Sequence, residues 1–274
     1  MRELALALAC MCAGAHADVT DTRATITSGG VERHYVVSRP DTCRTDCPLV
    51  LDLHGYHGSA ARIAQHSGIR ANAEAGGYVA VFPDGIEKSW NAGRGPYGAC
   101  CGVAMKTGVD DVAFLKAVVA RVAAEQPVDR SRVYATGWSN GCGMAQRLMA
   151  EASDVFAAAA CTGGALWTMQ ASLPRPVSVT EIHGHDDDSY LEKDDHTGAR
   201  ENAARWAALD HCADTPTHAA IGSASDVATY GGCAGGVRVR LVTLAHTGHD
   251  TYVNDEGVDV AKLMWDNVRD SRLP

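Results

Sequence analysis

Ser139 stands between two glycines in RVYATGWSNGCGMAQRLM, residues 132–149, directly after a short apolar run. A Gly-x-Ser-x-Gly match is a weak signal alone, and a serine hydroxyl is a weak nucleophile unless a base activates it. The surroundings strengthen the match. SRVYATG reads as a strand and NGCGMAQRLMAEAS as a helix, so the serine falls in the turn between them. A sharp strand-to-helix turn needs small neighbours, because bulkier side chains would meet adjacent elements, and Gly137 and Gly141 fill those places. Such a turn also aims the first N–H groups of the helix at the serine, where they favour a developing negative charge. The chemistry indicated is acyl transfer through a serine nucleophile; the competing reading is an ordinary turn, which would tolerate many residue types at 139.

A nucleophilic serine needs an imidazole base, and the imidazole needs an orienting carboxylate. On a doubly wound sheet the chain order is serine, acid, histidine. Two later segments fit that order: VSVTEIHGHDDDSY is a strand followed by an acidic loop, and VRLVTLAHTGHDTY is a strand followed by a loop with histidines. Both would deliver side chains to the C-terminal edge of the sheet, where α/β sites form. His249 lies further into its loop than His246 and is the better placed base. Asp186, Asp187 and Asp188 compete for the acid; Asp187 is preferred over Asp188, and the choice between those two stays open.

The oxyanion of a tetrahedral intermediate needs N–H donors. LDLHGYHGS, residues 51–59, is a strand ending in His54-Gly55, a turn that presents the next backbone N–H, that of Tyr56, towards the nucleophile. The second donor would be the backbone N–H of Asn140. His54 itself reads as a buried histidine bracing the loop. Tyr56, Trp90, Trp138 and Trp167 are candidates to line an acyl cleft, since flat aromatic groups bury well against aromatic acids. Trp90 and Trp167 read equally well as packing residues.

These side chains need a frame. RATIT and ERHYVVS look like two strands joined at Gly29-Gly30, an antiparallel hairpin. CPLVLDLHG and GGYVAVFPDG are apolar runs of strand length ending in glycine-containing loops. DDVAFLKAVVARVAAEQ, residues 110–126, has helical apolar spacing, with Asp110 or Asp111 as cap. DVFAAAACTG and RPVSVTEIHG read as strands, ARENAARWAALDHC as a helix, VRVRLVTLA as a strand and EGVDVAKLMWDNVR as a terminal helix. This alternation of short apolar strands with helices predicts an α/β protein with a mostly parallel central sheet covered on both faces. Residues 84–109 read as a surface excursion near the strand ends. No repeat or Pro-rich linker interrupts the pattern, so residues 18–274 are expected to form a single domain.

The chain has 274 residues, 46% hydrophobic and 21% charged, with a formal charge of −9, which argues against nucleic-acid or anionic-membrane partners. MRELALALACMCAGAHA reads as a signal peptide over residues 1–17, with an apolar stretch too short to span a bilayer. Ten cysteines agree with an oxidising, secretory destination, extracellular or periplasmic. No paired C-x-x-C knuckles suggest zinc, and no metal is expected. Candidate bridges are Cys43–Cys47 and Cys212–Cys233, with Cys100, Cys101, Cys142 and Cys161 forming two more in a connectivity that sequence leaves open. Oligomeric state is likewise undetermined.

In order along residues 24–265, LDLHGYHGSA, VFPDG, SWNAG with CCG, VDDVAFL, RVYATGWSNG, EIHGHDD and HTGH together resemble the secreted feruloyl-esterase and polyhydroxybutyrate-depolymerase-like esterases of the α/β-hydrolase superfamily. The resemblance implies an α/β-hydrolase fold and a Ser139–Asp187–His249 triad, the aspartate matching through His183, Gly184 and Asp187. It suggests a bridge like Cys212–Cys233 ahead of the histidine strand, and acyl transfer by such a triad needs no metal or organic cofactor. Two positions depart from the pattern: Cys142 replaces a glycine and could tie its helix to Cys100, Cys101 or Cys161, and HDTY replaces the commoner Trp-Pro after the histidine. The function implied is a secreted serine carboxylic-ester hydrolase acting on hydroxycinnamoyl (feruloyl) or related plant-polysaccharide esters. Polyhydroxybutyrate or another polyester, and acetylated xylan, are the alternative substrates. A serine peptidase on the same fold and a non-catalytic binding protein are the competing classes.

Overall fold

The protein is described by a computed structural model over residues 19–96, 98–188 and 198–274. The proposed signal peptide, residues 1–17, lies outside the described residues. The first strands are β1 (Val19–Ser28), β2 (Val31–Pro40) and β3 (Cys47–Leu53), followed by α1 (Ala60–His66), α2 (Ile69–Gly76) and β4 (Val79–Pro83). A small hairpin, β5 (Arg94–Gly95) and β6 (Gly98–Ala99), precedes α3 (Gly102–Thr107) and α4 (Asp111–Glu125). Next come β7 (Val128–Gly137), α5 (Asn140–Glu151), β8 (Ala158–Thr162), β9 (Ser178–Gly184) and α6 (Ala199–Leu209). The chain closes with β10 (Thr217–Ile221), β11 (Ser225–Tyr230), β12 (Val239–Leu244) and α7 (Val260–Val268).

Among the described residues ten strands form one sheet in the order β1-β2-β4-β3-β7-β8-β9-β12-β11-β10. The six from β4 to β12 run parallel, and an antiparallel hairpin extends each edge. The first hairpin turns at Gly29-Gly30 with φ of 59° and 78°, the left-handed pair that a two-residue turn between twisted strands demands. The second, β10–β11, carries only a weak apolar signal in the sequence and emerges as an unanticipated element.

Alternation along the strands sorts the core into two layers. Leu49, Leu51 and Leu53 of β3 face a cluster with Phe114, Leu115 and Val118 of α4, Met144 and Leu148 of α5, and Trp206 of α6. Val50, with Ala80 and Phe82 of β4, faces the other cluster, with Ile63, Ile69, Met264 and Val268 from α1, α2 and α7. Side-chain capping helps set where helices start: Asp110 accepts from Ala113 N–H at 2.9 Å, so it is the cap of α4. Asp111 instead pairs with Arg33 at 2.9 Å in the interior.

Residues 84–109 are not the surface excursion their loop-like sequence suggested. Ser89, Trp90, Ala92 and Ala104 are all buried, because the segment folds back under the serine turn and packs its tryptophan into the core. Among the described residues four disulfides join Cys43–Cys47, Cys100–Cys101, Cys142–Cys161 and Cys212–Cys233. Among the described residues no helix is long and apolar enough to cross a membrane.

Candidate active site

Ser139 sits between β7 and α5 with φ 56° and ψ −118°, a region that non-glycine residues rarely occupy. The turn is pinned by backbone hydrogen bonds: Ser139 N–H donates to Thr162 O at 2.8 Å, and Gly141 N–H to Trp138 O at 2.8 Å. Both flanking glycines are sterically required. A Cβ on Gly137 would lie 2.8 Å from the Gly141 carbonyl, and one on Gly141 only 2.0 Å from Leu53 O. The helix therefore starts in direct contact with the end of β3. Cys142–Cys161 ties its first turn to β8 as well.

His249 and Asp187 arrive on the loops after β12 and β9, parallel neighbours in the sheet. Their backbones are laced together, with His185 N–H donating to Leu244 O and Asp186 N–H to Thr247 O, both at 2.9 Å. The close approach depends on Gly184, where a Cβ would lie 2.1 Å from Thr247 O and 2.3 Å from Gly248 O. Asp187 Oδ2 is 2.8 Å from His249 Nδ1, with the carboxylate buried and the imidazole 41% exposed. With Nδ1–H donating to the carboxylate, Nε2 is left as the proton acceptor. Asp186 instead lies exposed beside His185, and Asp188 and His246 are also exposed.

The serine and histidine loops meet across the end of β8. Thr162 accepts from Ser139 N–H, and a Cβ on Gly163 would fall 3.0 Å from His249 Cε1. Trp138, beside the serine, donates its indole N–H to His249 O at 2.9 Å, and its ring lies 5.5 Å from the imidazole. Sequence adjacency marked Trp138 as a cleft residue; that its indole also holds the histidine backbone is visible only in the fold.

The turn after β3 runs beside the serine, since a Cβ on Gly55 would come 3.4 Å from Ser139 Cβ. Tyr56 is half exposed with its ring on His57, while its backbone follows Gly55 directly. Asn140 is the first residue of α5, and first-turn N–H groups have no acceptor within their helix. His54 is buried, with Nδ1 2.8 Å from Gly55 O and Nε2 accepting from Gly85 N–H at 3.0 Å. Burial lowers its pKa and so favours the neutral ring that these two bonds require.

One cleft residue needs correction. Trp90 was a candidate substrate contact, but it is wholly buried, 4.9 Å from the His54 ring and stacked near Phe114, so no ligand can reach it without unfolding the segment. Trp167 is partly buried and packs against the core. The Asn140 side chain is a contributor that sequence reading passed over. It bonds both backbone groups of Trp90, for which an amide after the serine was the one available signal.

Two further polar groups adjoin these elements. Asp52 is buried and accepts from Ser67 Oγ at 2.6 Å and Thr136 Oγ1 at 3.0 Å, yet desolvation still pushes its pKa up to about 6. His66 Nε2 meets Asp250 Oδ2 at 2.8 Å, anchoring the residue after His249 to α1. Among the described residues no cluster of three His, Cys, Asp or Glu side chains could hold a metal ion.

The profile of the family described as esterase PHB depolymerase matches residues 34–188, a span that takes in Ser139 and Asp187 and ends before His249. The chain belongs to that family. Feruloyl esterase B of Piromyces equi is similar to this esterase PHB depolymerase family member, at 28% identity over 264 residues, covering 88% of this chain and 46% of that protein. The putative esterase NocK of Nocardia uniformis subsp. tsuyamanensis is 37% identical over 143 residues, or 51% of this chain and 40% of the relative. The chain thus spans less than half the length of these two proteins. The acetyl xylan esterase from Aspergillus awamori has the same fold, with a TM-score of 0.64 at 14% identity over 83% of this chain and 94% of that one.

Proposed function

We propose that this protein is a serine carboxylic-ester hydrolase working through an acyl-enzyme. The observation that carries the reading is the buried Asp187 carboxylate 2.8 Å from His249 Nδ1, on loops that adjoin a serine held at φ 56°. His249 Nε2 takes the proton of Ser139 Oγ, which attacks the ester carbonyl carbon. The carbonyl π electrons move onto oxygen, where the backbone N–H groups of Tyr56 and Asn140 donate to the oxyanion. Collapse of the intermediate breaks the ester C–O bond, and His249 returns the proton to the leaving alcohol. Water then repeats the cycle on the acyl-serine, releasing the acid. Asp187 holds the imidazole in its reactive tautomer and stabilises the imidazolium.

The substrate class we infer is a hydroxycinnamoyl or related ester of plant polysaccharide, supported by similarity to a feruloyl esterase over 88% of this chain, by Trp138 next to the serine and by Tyr56 after the Gly55 turn. Four disulfides favour a secretory route. The test is turnover of p-nitrophenyl acetate and methyl ferulate with Ser139→Ala as control, extended to acetyl, 3-hydroxybutyrate and peptide substrates. Ser139→Ala should lose about 10³-fold or more of kcat on the preferred ester. A variant as fast as wild type would refute the mechanism, a peptide cleaved far faster than any ester would make the protein a peptidase, and preference for 3-hydroxybutyrate or acetyl esters would reassign the substrate.

A further inference from the structure

The two proposed oxyanion donors belong to different parts of the chain, one after β3 and one at the start of α5. A donor helps only if it points at the oxygen of the transition state, so two donors on separate loops must be held in register. A chain of buried hydrogen bonds runs from one of these segments to the other. The Asn140 carboxamide clamps the backbone of Trp90, its Oδ1 accepting from Trp90 N–H at 2.7 Å and its Nδ2 donating to Trp90 O at 3.0 Å. The Trp90 indole N–H then donates to His54 O at 2.9 Å. His54 in turn braces its own turn through Gly55 O, and Gly55 O also accepts from Gly58 N–H at 2.9 Å. Asn140, Trp90 and His54 are each at most 1% exposed, so none of these bonds competes with water. The Asn140 amide also reaches Cys100 Sγ at 3.6 Å, which backs the clamp with the Cys100–Cys101 bridge.

We infer that the Asn140 side chain and Trp90 are positioning residues that lock the Tyr56 and Asn140 N–H donors into a single oxyanion-binding unit. The inference rests on the hydrolase reading above. Neither side chain touches substrate: Trp90 is enclosed, and Asn140 turns its carboxamide inward while its backbone faces the serine turn. The physical reason for using a tryptophan is reach, because its backbone serves the helix side while its indole, on the far side of the residue, serves the β3 turn. Phenylalanine would fill most of the same space without that second bond.

Trp90→Phe removes only the indole N–H to His54 O and keeps the Asn140 clamp. Expected is a fall in kcat of about tenfold with KM within about twofold, since misaligned donors cost transition-state more than ground-state binding. Phenylboronic acid, whose tetrahedral serine adduct places an oxygen at the same donors, should bind weaker by a similar factor. A fluorophosphonate should still titrate every Trp90→Phe molecule, separating misaligned enzyme from inactive enzyme. Phe114→Leu, which loosens packing near the Trp90 ring without breaking a hydrogen bond, should lower Tm while leaving kcat within about twofold of wild type. The inference is overturned if Trp90→Phe keeps wild-type kcat and boronate affinity, if its kcat loss matches an untitratable fraction, or if Phe114→Leu loses as much kcat. Wild type that the fluorophosphonate fails to label would instead sink the hydrolase reading, and the inference with it.

Discussion

Gly184→Ala should disable the site from a position that carries no reactive group. The added Cβ would sit 2.1 Å from Thr247 O, 2.3 Å from Gly248 O and 2.5 Å from Thr247 C, all backbone atoms that cannot rotate away. Relieving these contacts moves the histidine loop by about 1 Å, enough to break the 2.8 Å Asp187–His249 bond. A misplacement of that size in a catalytic group costs about 10²-fold, or about 2.7 kcal/mol of transition-state stabilisation. The overpacking itself should cost about 1–3 kcal/mol of stability. Gly248→Ala is the internal control: it is adjacent to His249, yet a Cβ there has nothing within 4 Å and no left-handed φ to oppose it. Steady-state kinetics on p-nitrophenyl acetate, with urea denaturation to confirm folding, should show Gly184→Ala down about 100-fold and Gly248→Ala within about threefold of wild type. Equal losses in both variants, or none at Gly184, would refute the argument that this close approach sets the histidine.

Asp52 makes stability pH-dependent, because burial raises its folded pKa to about 6, above the ordinary aspartate value of 3.8. The folded state keeps its proton while the unfolded chain ionises, so stability falls as pH rises from about 4 to 6, and Asp52→Asn should gain up to about 3 kcal/mol at pH 8 but little at pH 4. Urea midpoints at the two pH values check this; a variant gaining equally at both would exclude titration as the cause. Replacing Cys142 and Cys161 by serine opens a link spanning 19 residues and should cost about 3 kcal/mol of stability, read as a lowered denaturant midpoint. Arg33→Met strands the buried Asp111 carboxylate and should cost about 3–5 kcal/mol, with Arg33→Met/Asp111→Asn recovering part of it in a double-mutant cycle.

Local sequence determined those features whose physics is local. Leu49-Val50-Leu51 and Val79-Ala80-Val81 are apolar on both sides of the chain, and only a strand covered on two faces buries such a run. Gly137, Ser139 and Gly141 announced a strained turn because one backbone path forces all three residue types at once. Gly29-Gly30 did the same for the first hairpin. Tertiary structure alone decided what depends on contacts between distant segments. DDD at 186–188 sets three carboxylates side by side, of which sequence only favours Asp187, and the one that meets His249 is selected by how the loops after β9 and β12 lace together over Gly184. SWNAG reads as exposed loop because its neighbours are polar and glycine-rich, yet Trp90 is enclosed by His54, Phe114 and Asn140, partners from three other elements or turns. The pairing of Cys142 with Cys161 has the same origin: α5 packs on β8, and no spacing rule encodes which strand a helix will cover.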